Sequence, residues 1–128
     1  MRALLDTNVF LWSMLDDSRL STRAREIVWD EGNTLFLSSA TAWEVVIKVQ
    51  TGRLKLPSSP GRFVMERVAL FNLESLPIQL SHALHVETLP MHHKDPFDRI
   101  LVAQSLVENL PILTSDPIIA KYGVEIIW

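Results

Sequence analysis

The chain has 128 residues, a hydrophobic content of 48%, a formal net charge of −3 and no cysteine. This length is enough to bury a real core, so we expect residues 1–128 to form a single domain. The composition excludes a disulfide framework and a thiolate metal site, and no apolar run reaches the ~18–20 residues of a membrane span.

The first twelve residues, MRALLDTNVFLW, superficially resemble a signal peptide. Asp6 interrupts the apolar stretch, however, and no small-residue cleavage site follows it. We therefore expect a cytoplasmic protein whose N-terminal segment is part of the fold.

Short apolar segments alternate with amphipathic segments along the chain. The pattern predicts strands at residues 2–5, 34–38, 73–78, 111–114 and 124–128. It predicts helices at residues 9–15, 22–31, 40–51, 60–71, 79–88 and 96–109, with a short helical turn from Pro117. Ser21 and Ser59 suit helix N-caps. The apolar stripe expected on helix 40–51 consists of Trp43, Val46, Ile47 and Gln50.

Strands that alternate with helices indicate βαβ units and a mainly parallel sheet covered by helices on both faces. In such sheets, ligands bind beyond the carboxyl ends of the strands. The position of polar residues relative to those strand ends is therefore the next feature to consider.

Four acidic residues fall at that edge of the predicted sheet. Asp6 follows the first strand, Asp116 follows the strand at 111–114, and Asp98 lies in the first turn of helix 96–109. Glu44 lies about one turn into the helix that follows the second strand. Because helices in a parallel sheet begin at the same edge, we expect the four carboxylates to point towards one crevice.

Each acid also has a purely structural explanation. Asp95 suits the N-cap of helix 96–109, with Pro96 at its first position and Asp98 at its third. The other structural alternatives are a turn residue at Asp6, an N-cap at Asp116, and a surface pair of Glu44 with Lys48. Independent caps and pairs need no common edge, whereas a carboxylate cluster is stabilised by a cation. Oxygen ligands without cysteine favour Mg²⁺ or Mn²⁺.

Four segments together resemble PIN-domain ribonucleases, and in particular the VapC-type toxins of bacterial toxin–antitoxin modules. The segments are LLDTN at 4–8, SSATAWEVVIK at 38–48, HHKDPFDRILVAQ at 92–104 and LTSD at 113–116. The resemblance covers the whole chain and implies a three-layer α/β/α sandwich with a central, mainly parallel β-sheet. It also implies Mg²⁺- or Mn²⁺-dependent hydrolysis of RNA to a 3′-hydroxyl and a 5′-phosphate.

Carried over to this sequence, the resemblance makes Asp6 and Asp98 the principal metal ligands, completed by Glu44 and Asp116. Thr7 and Ser115 are expected to orient ligands or water, and Asp95 to support Asp98. Either Asp116 or Glu44 is a candidate general base. The implied partners are a cognate antitoxin, which alone would bind operator DNA, and a second copy of the chain; no membrane partner is expected.

A locally basic strip runs from Val46 to Arg67 in this acidic chain. It contains Lys48, Arg53, Lys55, Arg62 and Arg67, and it is a candidate phosphate-binding surface or a solvated helix face. We take Lys48, Arg53 and Arg99 as candidate RNA contacts, although Arg99 can equally pair with a neighbouring carboxylate.

The histidines and tryptophans have ordinary explanations. His82 and His85 share a helix face but lack further zinc ligands. His92 and His93 lie in the loop before the acidic helix, either at the rim of the site or, as expected for most such residues, in an ordinary loop position. Core packing is expected for Trp43 and Trp128, whereas Trp12 could serve a dimer or partner surface.

Two rival functions stay open. One is another phosphoesterase, such as a phosphatase or a DNA nuclease, on the same acidic site. The other is a non-enzymatic interaction module in which the acids serve only as caps and surface pairs.

Overall fold

A computed structural model describes residues 1–128 and contains one five-stranded sheet. The strands are β1 (Arg2–Leu5), β2 (Thr34–Ser38), β3 (Glu74–Leu76), β4 (Ile112–Leu113) and β5 (Ile126–Ile127). All neighbouring strands pair in parallel, in the order β3-β2-β1-β4-β5. β1 therefore lies at the centre of the sheet.

Seven α-helices connect and cover these strands. They are α1 (Thr7–Met14), α2 (Thr22–Trp29), α3 (Ser39–Gln50), α4 (Pro60–Leu70), α5 (Leu80–His85), α6 (Pro96–Glu108) and α7 (Pro117–Ala120). The predicted helix at 79–88 is divided into α5 and a 3₁₀ turn at Val86–Thr88. β4 and β5 are shorter than predicted, because only two residues of each enter the ladder.

Polar side chains begin the helices as the sequence predicts. The Ser21 hydroxyl accepts the Ala24 backbone N–H at 3.0 Å, and Ser59 accepts that of Arg62 at 3.4 Å. These contacts satisfy N–H groups that have no partner within the helix. The caps thereby set where α2 and α4 begin.

The two faces of the sheet bury separate cores. Leu5 and Phe10 belong to a cluster that includes residues of α1, α2, α3 and α4. Leu4 and Ile112 belong to a second cluster with residues of α6 and α7. Leu4 and Leu5 point to opposite faces because successive side chains of a strand alternate. Helices on both faces of a parallel sheet confirm the predicted α/β/α sandwich.

The buried face of α3 differs from the predicted stripe. Thr41, Glu44 and Val45 are buried, whereas the Trp43 side chain is 60% exposed. The Trp43 ring packs edge-on against Phe97, with their centroids 5.2 Å apart. Periodicity alone assigned the apolar stripe to the core, but the inner face of α3 carries polar groups. The expectation that Trp43 packs in the core was therefore wrong.

Trp12 and Trp128 differ from Trp43 in that both pack against a core. Trp128 packs against the first core, as expected, and its ring lies 6.0 Å from that of Trp12. Trp12 is itself partly buried against this core. None of the helices combines the length and the apolar character needed to cross a bilayer.

Candidate active site

The four acidic side chains predicted to converge do so at the carboxyl edge of the sheet. Asp6 lies directly after β1, and Asp116 lies just beyond β4. Glu44 is in α3, which follows β2 without a loop, and Asp98 is in the first turn of α6. The negative charges of Asp116 and Glu44 both act on Asp6, and those of Glu44 and Asp6 act on Asp98. The four carboxylates therefore share one electrostatic environment.

Asp6 caps a helix and also faces the site. Its Oδ1 accepts the Val9 backbone N–H at 2.7 Å, and its Oδ2 accepts the Thr114 hydroxyl. The side chain is buried, and this burial is the main cause that raises its pKa above the ordinary value. The hydrogen bonds from Thr114 and Val9 act in the opposite direction by stabilising the ionised form. The capping role of Asp6 is therefore compatible with a position among the site carboxylates.

Thr114, and not the neighbouring Ser115, hydrogen-bonds to the site acids. The sequence did not single out Thr114. Its fully buried hydroxyl donates to Asp6 and accepts the Asp116 backbone N–H at 3.0 Å. Ser115 is exposed. The signal that could have found Thr114 is its position: it extends the buried segment that forms β4, so its side chain had to point into the protein rather than into solvent.

Glu44 is held by two neighbours. Its Oε1 accepts the Thr7 hydroxyl at 2.6 Å, and its Oε2 lies 3.3 Å from Lys48 Nζ. The Thr7 hydroxyl also lies 3.2 Å from that of Thr41. The predicted pair with Lys48 is present, but the Glu44 side chain is buried rather than on the surface. Thr7 thus lies where it can orient Glu44, as expected.

His93 lies beside both Asp98 and Asp116. His93 Nε2 lies 2.9 Å from Asp116 Oδ2 and 3.2 Å from Asp98 Oδ2. One ligand atom from each of these three residues lies within 4.8 Å of the others. Asp6 and Glu44 are not members of this group of three.

The pKa of Asp98 is raised to about 7, first by burial and then by the negative charge of Asp95. His93 lowers it, while Glu44 and Asp6 raise it further. Asp95 caps α6 by accepting the Phe97 backbone N–H at 2.8 Å, as predicted. Burial and the surrounding negative charges thus both disfavour the ionised form of Asp98.

These residues fit a divalent cation. The donors at the edge are carboxylate oxygens, which Mg²⁺ and Mn²⁺ prefer, together with one imidazole nitrogen. Among the site carboxylates, Lys48 forms an ion pair with Glu44. A cation among Asp98, Asp116 and their neighbours would offset both the burial and the negative charges that raise the pKa of Asp98.

Arg99 is neither a phosphate contact nor the partner of a carboxylate, and this corrects both expectations. Its side chain is buried, and its guanidinium donates to four backbone carbonyls and one hydroxyl. The acceptors are Pro90 O at 2.8 Å, Leu89 O at 3.3 Å, Tyr122 Oη at 3.3 Å, Val86 O at 3.4 Å and His93 O at 3.5 Å. Arg99 thus holds the segment 86–93 against α6, because its planar donors match several acceptors at once.

The basic strip divides into two parts. Lys48 and Arg53 line a groove of about 450 Å³ that also contains Lys94, Glu44 and Asp95. Further along, Arg62 instead pairs with Glu66 at 2.8 Å on an exposed helix face. Only the first part lies beside the acidic site, so Lys48 and Arg53 stay candidate RNA contacts and Lys94 joins them.

A sequence model of the family described as "PIN domain" matches residues 3–125. The chain belongs to the PIN-domain family. Ribonuclease VapC16 from Mycobacterium tuberculosis is 33% identical over 61 residues, which are 48% of this chain and 43% of that protein. The matched segment thus spans less than half of this relative. The predicted resemblance to PIN-domain proteins is confirmed by the family match.

Several solved structures share the fold of this PIN-domain chain. VapBC2 from Rickettsia felis, bound to a DNA fragment from its promoter, matches with a TM-score of 0.74 and 13% identity, covering 99% of this chain and 98% of that one. DNA-bound VapBC from Salmonella typhimurium matches with a TM-score of 0.72 and 18% identity, covering 99% and 97%. FitAcB from Neisseria gonorrhoeae matches with a TM-score of 0.70 and 20% identity, covering 100% and 97%.

Proposed function

We propose that this PIN-domain protein is a Mg²⁺- or Mn²⁺-dependent endoribonuclease and the toxin of a VapC-type toxin–antitoxin pair. The observation that carries the proposal is the convergence of four carboxylates at one sheet edge, with the pKa of Asp98 raised to about 7. Membership of the PIN family and the similarity to a relative named a ribonuclease support it.

Asp98 and Asp116 would hold the cation together with Asp6 and Glu44. A bound divalent ion supplies positive charge for a phosphate oxygen and lowers the pKa of bound water. Thr114 and the Val9 N–H hold Asp6 in one orientation, and Thr7 does the same for Glu44. Positions fixed in this way need little reorganisation when charge develops during reaction.

The reaction adds water across a phosphodiester bond. Oxygen from water bonds to phosphorus, and the bond from phosphorus to the 3′ oxygen breaks. The released 3′ oxygen takes a proton from solvent water, so the products carry a 5′-phosphate and a 3′-hydroxyl. Either Asp116 or Glu44 accepts the proton from the attacking water. Lys48, Arg53 and Lys94 line the adjoining groove and would bind phosphates on either side of the cleaved bond.

The proposed partners follow from the similar complexes. The matching Rickettsia and Salmonella structures are VapBC assemblies bound to DNA. By analogy, we propose that this chain binds a cognate antitoxin, reaches operator DNA only through it, forms a homodimer and acts on cytoplasmic RNA. A single domain over residues 1–128 completes the proposal.

The test is cleavage of labelled single-stranded RNA by the purified chain with Mg²⁺ or Mn²⁺, with EDTA, and after Asp6→Asn. Asparagine retains the capping geometry but removes the charge, so the variant should fold and lose activity. Asp30→Asn, at an exposed position outside the site, is the matched control and should cleave like the wild type. Cleavage that survives EDTA or Asp6→Asn would refute the proposal, and preferential cleavage of DNA would favour the rival nuclease.

Thr114→Val should weaken metal binding without removing any carboxylate. The isosteric change deletes the hydroxyl that stabilises ionised Asp6 and that accepts the Asp116 N–H. Loss of an outer hydrogen bond to a metal ligand typically lowers affinity by about 10- to 100-fold. Titration with Mn²⁺ measures the change, and Thr114→Ser should restore most of the affinity. Equal affinities in all three proteins would show that Thr114 has only a packing role.

A further inference from the structure

We propose that His93 is a nitrogen ligand of the divalent cation, and that the site consequently favours Mn²⁺ over Mg²⁺. This inference rests on the proposed function, because it concerns the same acidic site. It adds an imidazole to a ligand set that the sequence describes only in terms of oxygen.

The position of the imidazole is the first argument. His93 Nε2 lies 2.9 Å from one oxygen of Asp116 and 3.2 Å from one oxygen of Asp98. Adjacent ligands of an octahedral ion, each ~2.1 Å from it, lie about 3 Å apart. The two distances from Nε2 therefore match those between neighbouring ligands, and all three atoms lie within 4.8 Å of one another.

The fixed backbone of the loop is the second argument. The His93 N–H donates to Tyr122 Oη at 2.6 Å, and the His93 carbonyl faces Arg99 Nη1 at 3.5 Å. Arg99 Nη1 also lies 3.3 Å from Tyr122 Oη, so the two side chains brace the loop together. An imidazole at the end of a mobile loop would have no defined place at the site, whereas this one is held between α6 and the segment after α7.

The buried environment of Arg99 strengthens this argument. Its guanidinium binds carbonyls on both sides of the loop, from Val86 to His93, and does not contact the carboxylates. The arginine that follows Asp98 in sequence thus acts as a positioning residue for His93. This role explains why the guanidinium of Arg99 points away from the nearby carboxylates.

The chemistry of the donor set gives the metal preference. Without a metal, His93 Nε2 hydrogen-bonds to Asp116 and lies near Asp98. With its proton on Nδ1 instead, the imidazole offers the Nε2 lone pair to a cation at the same place. Mg²⁺ prefers oxygen and retains water, whereas first-row transition ions accept imidazole readily. Two carboxylates and one imidazole therefore suit Mn²⁺ better than Mg²⁺.

The test uses Mn²⁺ bound to the full chain and pulsed electron paramagnetic resonance, which detects nitrogen bonded to the ion. The wild type and the control His85→Ala should show a nitrogen coupling, because His85 ends α5 and is not among the three grouped ligands. His93→Ala and His93→Gln should lose it. Their Mn²⁺ affinity should fall at least about 10-fold while their Mg²⁺ affinity changes less, so that the Mn²⁺/Mg²⁺ preference narrows.

Two outcomes would overturn the inference, and they are distinguishable. In the first, Mn²⁺ binds through Asp98 but shows no nitrogen coupling, or shows the same coupling after His93→Ala. His93 would then be only a hydrogen-bond partner, and the proposed nuclease function would stand. Mn²⁺ binding that is absent from the wild type, or unaffected by Asp98→Asn, would refute the metal site itself and both proposals with it. Circular dichroism of each variant verifies that it is folded.

Discussion

Asp98→Asn is expected to lower metal-dependent RNA cleavage by about 10²–10³-fold or more, the range found when a single electrostatic contributor to a transition state is removed. Asp98 lies in the first turn of α6, where the neutral amide fits the same space. The variant loses one charge and one oxygen ligand beside Asp116 and His93. Initial cleavage rates at saturating Mn²⁺ measure the loss.

The same substitution should stabilise the metal-free chain above neutral pH. The pKa of Asp98 is about 7 in the folded chain and 3.8 for an isolated side chain, so the folded chain binds more protons between these values. Stability therefore falls as pH rises from about 4 to about 7, and the loss is complete above that range. An asparagine side chain at this position cannot ionise and escapes this loss, which amounts to roughly 1–2 kcal/mol after allowance for partial exposure.

Urea unfolding in EDTA at pH 4 and at pH 8 measures this difference. The wild type and Asp98→Asn should be of similar stability at the lower pH, and the variant should be more stable at the higher one. Asp30→Asn should follow the wild type at both. An Asp98→Asn variant that is inactive and also less stable at pH 8 would indicate that Asp98 is a structural residue.

Arg99→Met is expected to destabilise the chain by about 3–5 kcal/mol, because each buried acceptor left without a donor costs about 1–3 kcal/mol. Methionine roughly fills the volume but makes no hydrogen bonds, so the carbonyls of Leu89 and Pro90 lose their donor. Unsatisfied buried acceptors account for most of the loss. The denaturant midpoint measures it.

Arg62→Met is the matched control, because Arg62 makes an exposed pair with Glu66. Exposed pairs contribute about 0–1 kcal/mol, so this variant should unfold close to the wild type. If Arg99→Met were equally stable but bound RNA more weakly, Arg99 would be a phosphate contact after all and its buried arrangement would be wrong.

The sequence alone determined the order of elements and the edge of the sheet at which the acids lie. Alternating apolar strands and helices predict a parallel sheet, since parallel strands require crossover connections. Ser21, Ser59 and Asp95 were predicted as caps, and each accepts the expected backbone N–H. Such features depend on neighbouring residues, so a linear pattern contains them. The positions of Asp6 and Asp116 followed because both adjoin predicted strands.

Only the tertiary structure decided which side chains act on one another across the chain. Thr114 meets Asp6 at a separation of 108 residues, and His93 meets Asp116 at 23. The Arg99 guanidinium binds backbone carbonyls of the loop before α6 instead of the acids. Glu44 is buried on the inner, polar face of α3. Local periodicity cannot reveal these contacts, because their energy comes from burial and from partners that are distant in sequence and become neighbours only when the sheet assembles.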